Sequence, residues 1–239
     1  MSKRAQHFSG VIESGGLRAS LLRSARRTVS LQVNPDLSLV MKAPAGTPEP
    51  YLRDFLERRR AWVEKHLERM GRIMASAPSW TDGSSLPFLG GELGLKVRSG
   101  ARSGARLAAG EIVASARDPS DTEEVRKTVE RLYSREAAAR LPAMLDACLQ
   151  KAARRRFPRP ELRLRTMRSR WGSCDARACV VTLNTRLVRF RPEVIECVIM
   201  HELAHLRYRS HGKRFYGLLA ELCPDYEELQ AELADVYLD

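Results

Sequence analysis

The sequence predicts an α+β fold in two parts, a small β-rich α/β module over residues 1–115 and a second domain over residues 116–239. Segments in which apolar and polar residues alternate, as in β-hairpins, support the first part. Long segments with apolar residues at helical spacing occur in both parts. The chain has 239 residues, 44% of them hydrophobic, which is sufficient for one large core or two modest ones.

Two hairpins are predicted in the N-terminal module. Apolar and polar residues alternate on both sides of residues 34–36, whose Asn-Pro-Asp sequence favours a turn. A second hairpin is predicted over residues 85–97, around Gly90 and Gly91. Residues 99–110 follow it, and their glycine and alanine content indicates a flexible loop or a strand connection.

Three helices carry the main apolar stripes. Thr47 and Pro48 are typical of a helix start, and the spacing that follows predicts a helix of about 25 residues. Residues 121–156 are acidic at their start and basic at their end, which complements a helix dipole, and Pro142 would either kink this helix or split it. The third helix begins at Pro192, after two predicted strands, residues 161–174 and 179–188, that are joined around Asp175.

Composition limits the class of protein and its partners. No stretch approaches the roughly 20 apolar residues of a membrane span, and no secretory signal is evident, so we expect a soluble, cytoplasmic protein without a membrane partner. Five cysteines without a CxxC pair suit reduced thiols. The net charge of +12 favours nucleotide or nucleic-acid partners, or else reflects a solvated, arginine-rich surface.

Three of the five histidines lie between residues 201 and 211, in the sequence HELAHLRYRSH. His201 and His205 are one helical turn apart, so both rings can bind the same ion, and the turn after the helix can bring His211 back to them. Three neutral imidazoles would leave one position of a tetrahedral zinc ion open for water. Glu202 lies beside them, where it can contact that water. The alternative is a chance HExxH match in which the histidines are ordinary core residues.

Cysteine ligands would change this interpretation. If Cys174 or Cys197 supplied a fourth ligand, the site would be closed and structural. A structural site has no use for Glu202 between its ligands, which argues against this alternative. Carboxylates near the histidines in sequence could orient the rings through their second nitrogens. The candidates are Glu221, Asp225, Glu227 and Glu228.

Five short motifs in the C-terminal third resemble those of the YgjP-like (DUF45) metallopeptidase family, which is related to the SprT-like and other compact gluzincin zinc peptidases. They are RSRWGSC (168–174), TLN (182–184), VIMHELAHL (198–206), SHGKRFY (210–216) and CPDY (223–226). The resemblance implies a compact domain over residues 116–239, with a long backing helix, a short antiparallel sheet and an HExxH active helix. It also implies a zinc site with ligands His201, His205 and His211 and the catalytic base Glu202. The family commonly has Trp at the position of Tyr216.

The predicted function is that of a zinc-dependent metallopeptidase. A zinc-bound water, activated by Glu202, would hydrolyse peptide bonds within a peptide or protein substrate. One alternative is a metal-dependent hydrolase of nucleotide phosphoanhydrides, although the chain has no GxxxxGK[ST] phosphate loop. Another is a nucleic-acid-associated protein in which proteolysis is local or vestigial.

A substrate cleft is predicted beside the strand of residues 179–188, to which an extended peptide could add through backbone hydrogen bonds. Each candidate side chain also has a structural interpretation: Trp171 as a core anchor, Arg168 and Arg170 as braces of the sheet, Asn184 as a turn or cap residue. The candidates for the cleft are Arg170, Trp171, Asn184, Tyr208 and Tyr216.

Overall fold

The computed structural model describes residues 7–34, 36–75 and 78–234. The chain divides into two units, Met1–Ala77 and Pro78–Asp239, whereas the sequence predicts a boundary between residues 115 and 116. No helix in the described ranges combines the length and the apolar composition of a membrane span.

The first unit consists of a four-stranded sheet and two helices. The strands are β1 (His7–Ser14), β2 (Leu17–Ser24), β3 (Ser30–Val33) and β4 (Leu39–Pro44). Their order is β1-β2-β4-β3, with β2 and β4 parallel. The predicted first hairpin is the antiparallel pair β3–β4, in which Leu37 has a φ of 63°. Pro35 lies outside the described residues.

The helix predicted after Pro48 is broken in two. Helix α1 spans Glu49–Arg58 and α2 spans Arg60–Ala75, and Arg59 between them has φ −97° and ψ 3°. Neither glycine nor proline marks the break, so apolar spacing alone could not reveal it. The buried side chains Leu52, Leu56 and Val63 continue one apolar face across it.

The second unit begins with another four-stranded sheet. Its strands are β5 (Ser85–Phe88), β6 (Gly91–Ser99), β7 (Gly104–Ala108) and β8 (Glu111–Ala116), in the order β5-β6-β8-β7. The predicted second hairpin is the antiparallel pair β5–β6. Residues 104–108, within the expected loop or strand connection, form β7.

Helix α3 (Thr122–Lys151) is the longest helix described in this unit. The carboxylate of Asp121 accepts hydrogen bonds from the backbone N–H groups of Glu123 and Glu124 and so caps the helix. The helix continues through Pro142 without a split. Its buried stripe includes the residues predicted from spacing: Val125, Val129, Leu132, Ala137, Leu141, Leu145 and Cys148.

The sheet β5–β8 and α3 share one hydrophobic core with the C-terminal helices. Leu86 and Ile112 from the sheet are fully buried in it, and the buried Tyr133 of α3 donates a hydrogen bond from its hydroxyl to the Pro87 carbonyl (2.9 Å). The sheet therefore belongs with the second unit, which explains why the structural boundary differs from the one predicted from the sequence.

The remaining elements surround the histidines. They are β9 (Glu161–Arg165), β10 (Gly172–Asp175), β11 (Val180–Asn184), a 3-10 helix (Thr185–Arg189), α4 (Pro192–His205), α5 (Lys213–Leu222) and α6 (Tyr226–Ala234). The segment predicted as one strand over 161–174 is two strands, because residues 166–171 leave the sheet between β9 and β10. The α+β class is confirmed.

The three-stranded sheet is mixed, with the order β10-β11-β9. Strand β10 is antiparallel to β11, as expected, but β11 is parallel to β9. The prediction that β11 borders an open cleft is wrong, since both of its edges are paired. Within the described residues, β10 is the edge strand on the side of the histidines.

Candidate metal centre

Helix α4 carries the first two histidines. Pro192 occupies the first turn, where its missing N–H has no helical partner to lose, and most of the side chains that follow are buried. His201 and His205 are partly buried, one turn apart, with ring centroids separated by 4.9 Å. Both rings therefore project from the end of a helix that the core fixes in place.

The turn after α4 returns the third histidine to the other two. The N–H of Tyr208 donates to the Ala204 carbonyl (3.0 Å), and α5 starts two residues after His211. The ring centroid of His211 lies 5.1 Å from that of His201 and 4.7 Å from that of His205. One nitrogen from each ring lies within 4.8 Å of the others. The structure thus brings together the three histidines that the sequence singles out.

Phe215 of α5 forms the apolar support of this cluster. Its ring is fully buried, and its centroid lies between 4.5 and 4.9 Å from those of the three imidazoles. The sequence marks Phe215 only as one aromatic residue of the SHGKRFY motif. Its contact with all three imidazoles depends on how α4 and α5 pack against each other, which the motif alone does not show.

The outer ring nitrogens of two histidines have polar neighbours. His205 Nδ1 lies 3.0 Å from the Tyr208 carbonyl oxygen, and His201 Nδ1 lies 3.2 Å from the side-chain amide of Gln230. A backbone carbonyl and an amide thus fill the role expected of carboxylates. Two of the predicted carboxylates are engaged elsewhere, Glu221 with Arg155 and Glu227 with the Tyr226 hydroxyl.

The cluster suits a divalent metal ion. The Nε2 atoms of His201 and His211 are 3.1 Å apart. The Tyr208 carbonyl can only accept a hydrogen bond, so His205 carries its proton on Nδ1 and its Nε2 is available to an ion. Burial, together with the neighbouring imidazoles, lowers the pKa of His201 to about 4, and burial also lowers the pKa of His205. These rings are neutral near pH 7, the form in which a histidine binds metal.

The thiols are not members of this cluster in the described part of the chain. Cys197 is buried and its Sγ lies 4.0 Å from the Tyr226 carbonyl, while Cys174 lies on β10. Burial raises the pKa of the Cys197 thiol, and it raises that of Cys174 to about 11. Because neither sulfur lies with the three imidazole nitrogens, a three-histidine site fits better than a closed site with sulfur.

Glu202 follows His201 on α4, and its side chain is buried. It is 5% exposed, and its Oε2 has no hydrogen-bond partner among the described residues. Burial raises its pKa to about 8, and the positive charge of Arg170 acts in the opposite direction. A buried carboxyl group with an unpaired oxygen is unusual in a purely structural role, because leaving it unpaired costs free energy.

Strand β10 covers Glu202 at very close range. A Cβ atom added to Gly172 would lie 2.5 Å from Oε1 of Glu202, 2.7 Å from its Cγ and 2.9 Å from its Cδ. Only glycine therefore permits this approach of β10 to α4. The need for glycine at position 172 was not predicted, although Gly172 is part of the WGSC sequence.

Two cavities open beside the cluster. The larger has a volume of about 890 Å³, and a smaller one of about 370 Å³ shares Arg170, Gly172, His201 and Glu202 with it. The other residues of the larger cavity are Ser169, Ser173, Cys174, Asp175, Ala176, Arg177, His205, Arg209 and His211.

The predicted cleft residues have different positions. Arg170 lines both cavities and Trp171 lines the smaller one. Trp171 is half-buried and donates its indole N–H to the Leu233 carbonyl (3.3 Å). Tyr208 acts through its backbone carbonyl, and Tyr216 is 40% exposed, with its ring centroid 6.0 Å from that of His211.

Asn184 is fully buried and lines neither cavity. Its amide N–H₂ donates to the carbonyls of Met167 (2.9 Å) and Arg170 (3.0 Å), and its oxygen accepts the N–H of Arg186 (3.1 Å). It therefore caps the 3-10 helix and also holds the segment before β10.

Comparisons with known proteins gave one family and partial structural similarities. A search of curated proteins found no match. The metallopeptidase zymogen of abylysin from Pyrococcus abyssi has 18% identity and a TM-score of 0.35, covering 38% of this chain and 90% of that chain. The zymogen of jannalysin from Methanocaldococcus jannaschii has 18% identity and a TM-score of 0.34, covering 39% of this chain and 92% of that chain.

The model of the YgjP-like metallopeptidase domain matches residues 27–236, which is most of the chain. Membership implies a divalent metal ion, and the three histidines are a donor set suited to one. This protein belongs to the YgjP-like metallopeptidase family.

Proposed function

We propose that the protein is a zinc-dependent endopeptidase in which Glu202 is the general base. The observation that carries the proposal is the buried carboxyl group of Glu202, with an unpaired oxygen, next to three imidazoles that converge at the edge of an 890 Å³ cavity. His201, His205 and His211 would hold the metal. When bound there, zinc lowers the pKa of a coordinated water and polarises a carbonyl group.

Glu202 supplies the proton transfers. It takes a proton from the attacking water, whose oxygen adds to the carbonyl carbon of the scissile bond, and returns the proton to the amine that leaves. Glu202 must be ionised for the first step, although burial alone raises its pKa to about 8. Positive charge near a carboxyl group favours its ionised form, and Arg170 already acts in this direction.

Strand β10 supplies a binding edge for an extended peptide. The Asn184 N–H donates to the Trp171 carbonyl, and antiparallel hydrogen bonding alternates along a strand. The backbone groups of Ser173 and Asp175 therefore face β11, and those of Gly172 and Cys174 face outward. A polypeptide can add to this edge at any point along its length, which suits cleavage within a chain.

The test compares the wild type with Glu202→Gln, His201→Ala and the control Glu193→Gln. Glu193 is an exposed carboxylate on the same helix. We expect Glu202→Gln to keep its bound zinc and to lose at least about 100-fold in kcat on a peptide library, because general-base catalysis supplies that order of rate. His201→Ala should lose both zinc and activity, and Glu193→Gln should keep both.

Metal content and cleavage, measured in parallel, decide the outcome. If Glu202→Gln cleaves peptides at the wild-type rate, Glu202 is not the base. If the wild type hydrolyses a panel of nucleotides but no peptide, the protein is a hydrolase of phosphoanhydrides instead.

A further inference from the structure

Three arginines line the larger cavity beside the histidines: Arg170, Arg177 and Arg209. All three are exposed, and none forms an ion pair with a carboxylate in the part of the chain that the structure describes. Other arginines of this unit do have such partners, for example Arg159 with Asp146 and Arg191 with Glu232. The guanidinium groups at the cavity are thus free to bind an anion from solution.

The cavity offers these arginines little negative charge of its own. The acidic residues in its lining are Asp175 and Glu202. Asp175 already accepts the backbone N–H groups of Arg177 (3.0 Å) and Ala178 (3.2 Å) in the turn after β10. The side chain of Glu202 is buried. The accessible rim is therefore positive.

The arginines lie around the strand that would bind a peptide. Arg170 comes two residues before the start of β10, and Arg177 comes two residues after its end. At roughly 3.3 Å per residue, they flank a stretch of strand about 10 to 13 Å long. Arg209 lies in the turn between α4 and α5, two residues before His211. Positive charge is therefore present at both ends of the edge strand and beside the histidines.

We propose that the cleft selects polypeptide segments with acidic side chains on both sides of the cleaved bond, and that Arg170, Arg177 and Arg209 determine this specificity. The inference rests on the proposed peptidase function and names its substrate class. Arginine binds carboxylates in a planar, bidentate geometry, and a positive rim concentrates acidic chains near the site.

A polypeptide is favoured over a phosphate ligand by the backbone of β10. The outward N–H and C=O groups of Gly172 and Cys174 provide both donors and acceptors, as a peptide requires. A phosphate group can use only the donors.

The experiment uses the zinc-loaded full chain and one peptide sequence in three versions. The two flanking positions carry Asp, Asn or Lys, and kcat/KM is measured at low and high salt. We expect a preference of at least about tenfold for the Asp peptide over the Lys peptide, which falls as salt rises. Arg177→Glu and Arg209→Glu should abolish or reverse it. Arg170 is kept unchanged because it also acts on Glu202.

Arg154→Glu is the matched control, since it makes the same change of charge at an exposed arginine outside both cavities. It should leave the preference intact. Equal cleavage of the three peptides, or an equal effect of Arg154→Glu and Arg177→Glu, overturns the proposal.

Binding separates this inference from the catalytic one. The three peptides are labelled and their affinity for Glu202→Gln is measured by fluorescence anisotropy. If the wild type cleaves no peptide, the endopeptidase proposal fails, and tighter binding of the Asp peptide still supports the charge preference. If affinity is the same for all three, or inorganic triphosphate displaces the Asp peptide at much lower concentration than the peptide itself, the arginines do not serve acidic polypeptides.

Discussion

Gly172 is the residue that allows β10 to cover Glu202. The distance of 2.5 Å between its hypothetical Cβ and Oε1 of Glu202 is far shorter than any normal contact. Either the carboxylate or the strand must move if a methyl group is present, and close packing around α4 leaves little room for adjustment. The position of the proposed base therefore depends on a residue that has no side chain.

Gly172→Ala should lower kcat by about 10- to 100-fold, because a shift of the order of 1 Å in a reacting group has this effect. Zinc content should remain at the wild-type level, since the histidines belong to α4 and the following turn. Gly217→Ala is the control: apart from its chain neighbours and the backbone of its own helix, no described atom lies within 4 Å of its added Cβ. The measurements are steady-state kinetics and bound metal, and full activity of Gly172→Ala would show that β10 does not position Glu202.

Glu202 should also make the stability of the metal-free protein depend on pH. Its pKa is raised from 4.5 to about 8, so the folded protein holds a proton that the unfolded chain releases between these values. Its contribution to stability is therefore complete below pH 4.5 and is lost as the pH rises through about 8. The loss should be on the order of 2 to 4 kcal/mol.

The measurement is urea unfolding of the chelator-treated protein at pH 6.5 and pH 8.5, with Glu202→Gln as the reference. Burial lowers the pKa of His201 and His205, so their contributions to stability change in the opposite direction, as the pH falls below 6.5. The reference variant contains both residues, so the difference between the two proteins isolates Glu202. The wild type should lose stability over this range and Glu202→Gln should not. Parallel behaviour of the two proteins would exclude a raised pKa at Glu202.

Local spacing in the sequence was enough to predict that His201, His205 and Glu202 lie together, whereas the position of His211 depends on the turn after the helix. His201 and His205 share a helix, and Glu202 is adjacent to one of them, so their proximity follows from the helical repeat alone. Gln230 and Phe215 could not be predicted in the same way. They contact His201 only because α5 and α6 pack back against α4, and no local pattern encodes that packing.

At the level of elements, the long helix α3 was predictable and the strands near the site were less so. The buried stripe of α3 repeats over 30 residues, a signal that Pro142 does not obscure. Strands β10 and β9 have 4 and 5 residues. Such short segments show their alternation weakly, and the sequence cannot state which one forms an edge.

Asn184 joins two elements to the segment before β10, since it ends β11, caps the 3-10 helix and donates to the carbonyls of residues 167 and 170. Asn184→Ala should lower the free energy of unfolding by about 2 to 4 kcal/mol, because it leaves three backbone groups without their partner. It should also lower kcat, since the segment before β10 would lose its support. Thermal and urea unfolding measure the first effect.

Thr182→Ala is the matched control on the same strand. The Thr182 hydroxyl has no hydrogen bond among the described residues, and its loss should cost less than about 1 kcal/mol. Equal costs for the two variants would mean that the hydrogen bonds of Asn184 do not stabilise the fold.

At the level of the whole molecule, the two units have separate hydrophobic cores. One core contains β1–β4 and the two helices after them, and the other contains β5–β8 together with α3 and the C-terminal helices. The sequence places the boundary after β8 because the change from strands to a long helix is its most visible feature. Which core a strand joins depends on tertiary contacts, and the change from strands to a long helix gives no information about those contacts.

Two fragments test where the metal-binding domain begins. The fragment of residues 78–239 keeps the whole second core, so we expect it to unfold cooperatively and to bind one zinc ion. The fragment of residues 116–239 lacks β5–β7 and most of β8. The apolar side chains of α3 that pack against that sheet, such as Tyr133, would be exposed to water. Loss of that burial should leave it unfolded or aggregated, since each large side chain contributes about 1.5 to 3 kcal/mol.

Circular dichroism, unfolding in urea and zinc titration compare the two fragments. If residues 116–239 fold and bind zinc as tightly as residues 78–239, the second sheet is dispensable and the boundary predicted from the sequence is the functional one.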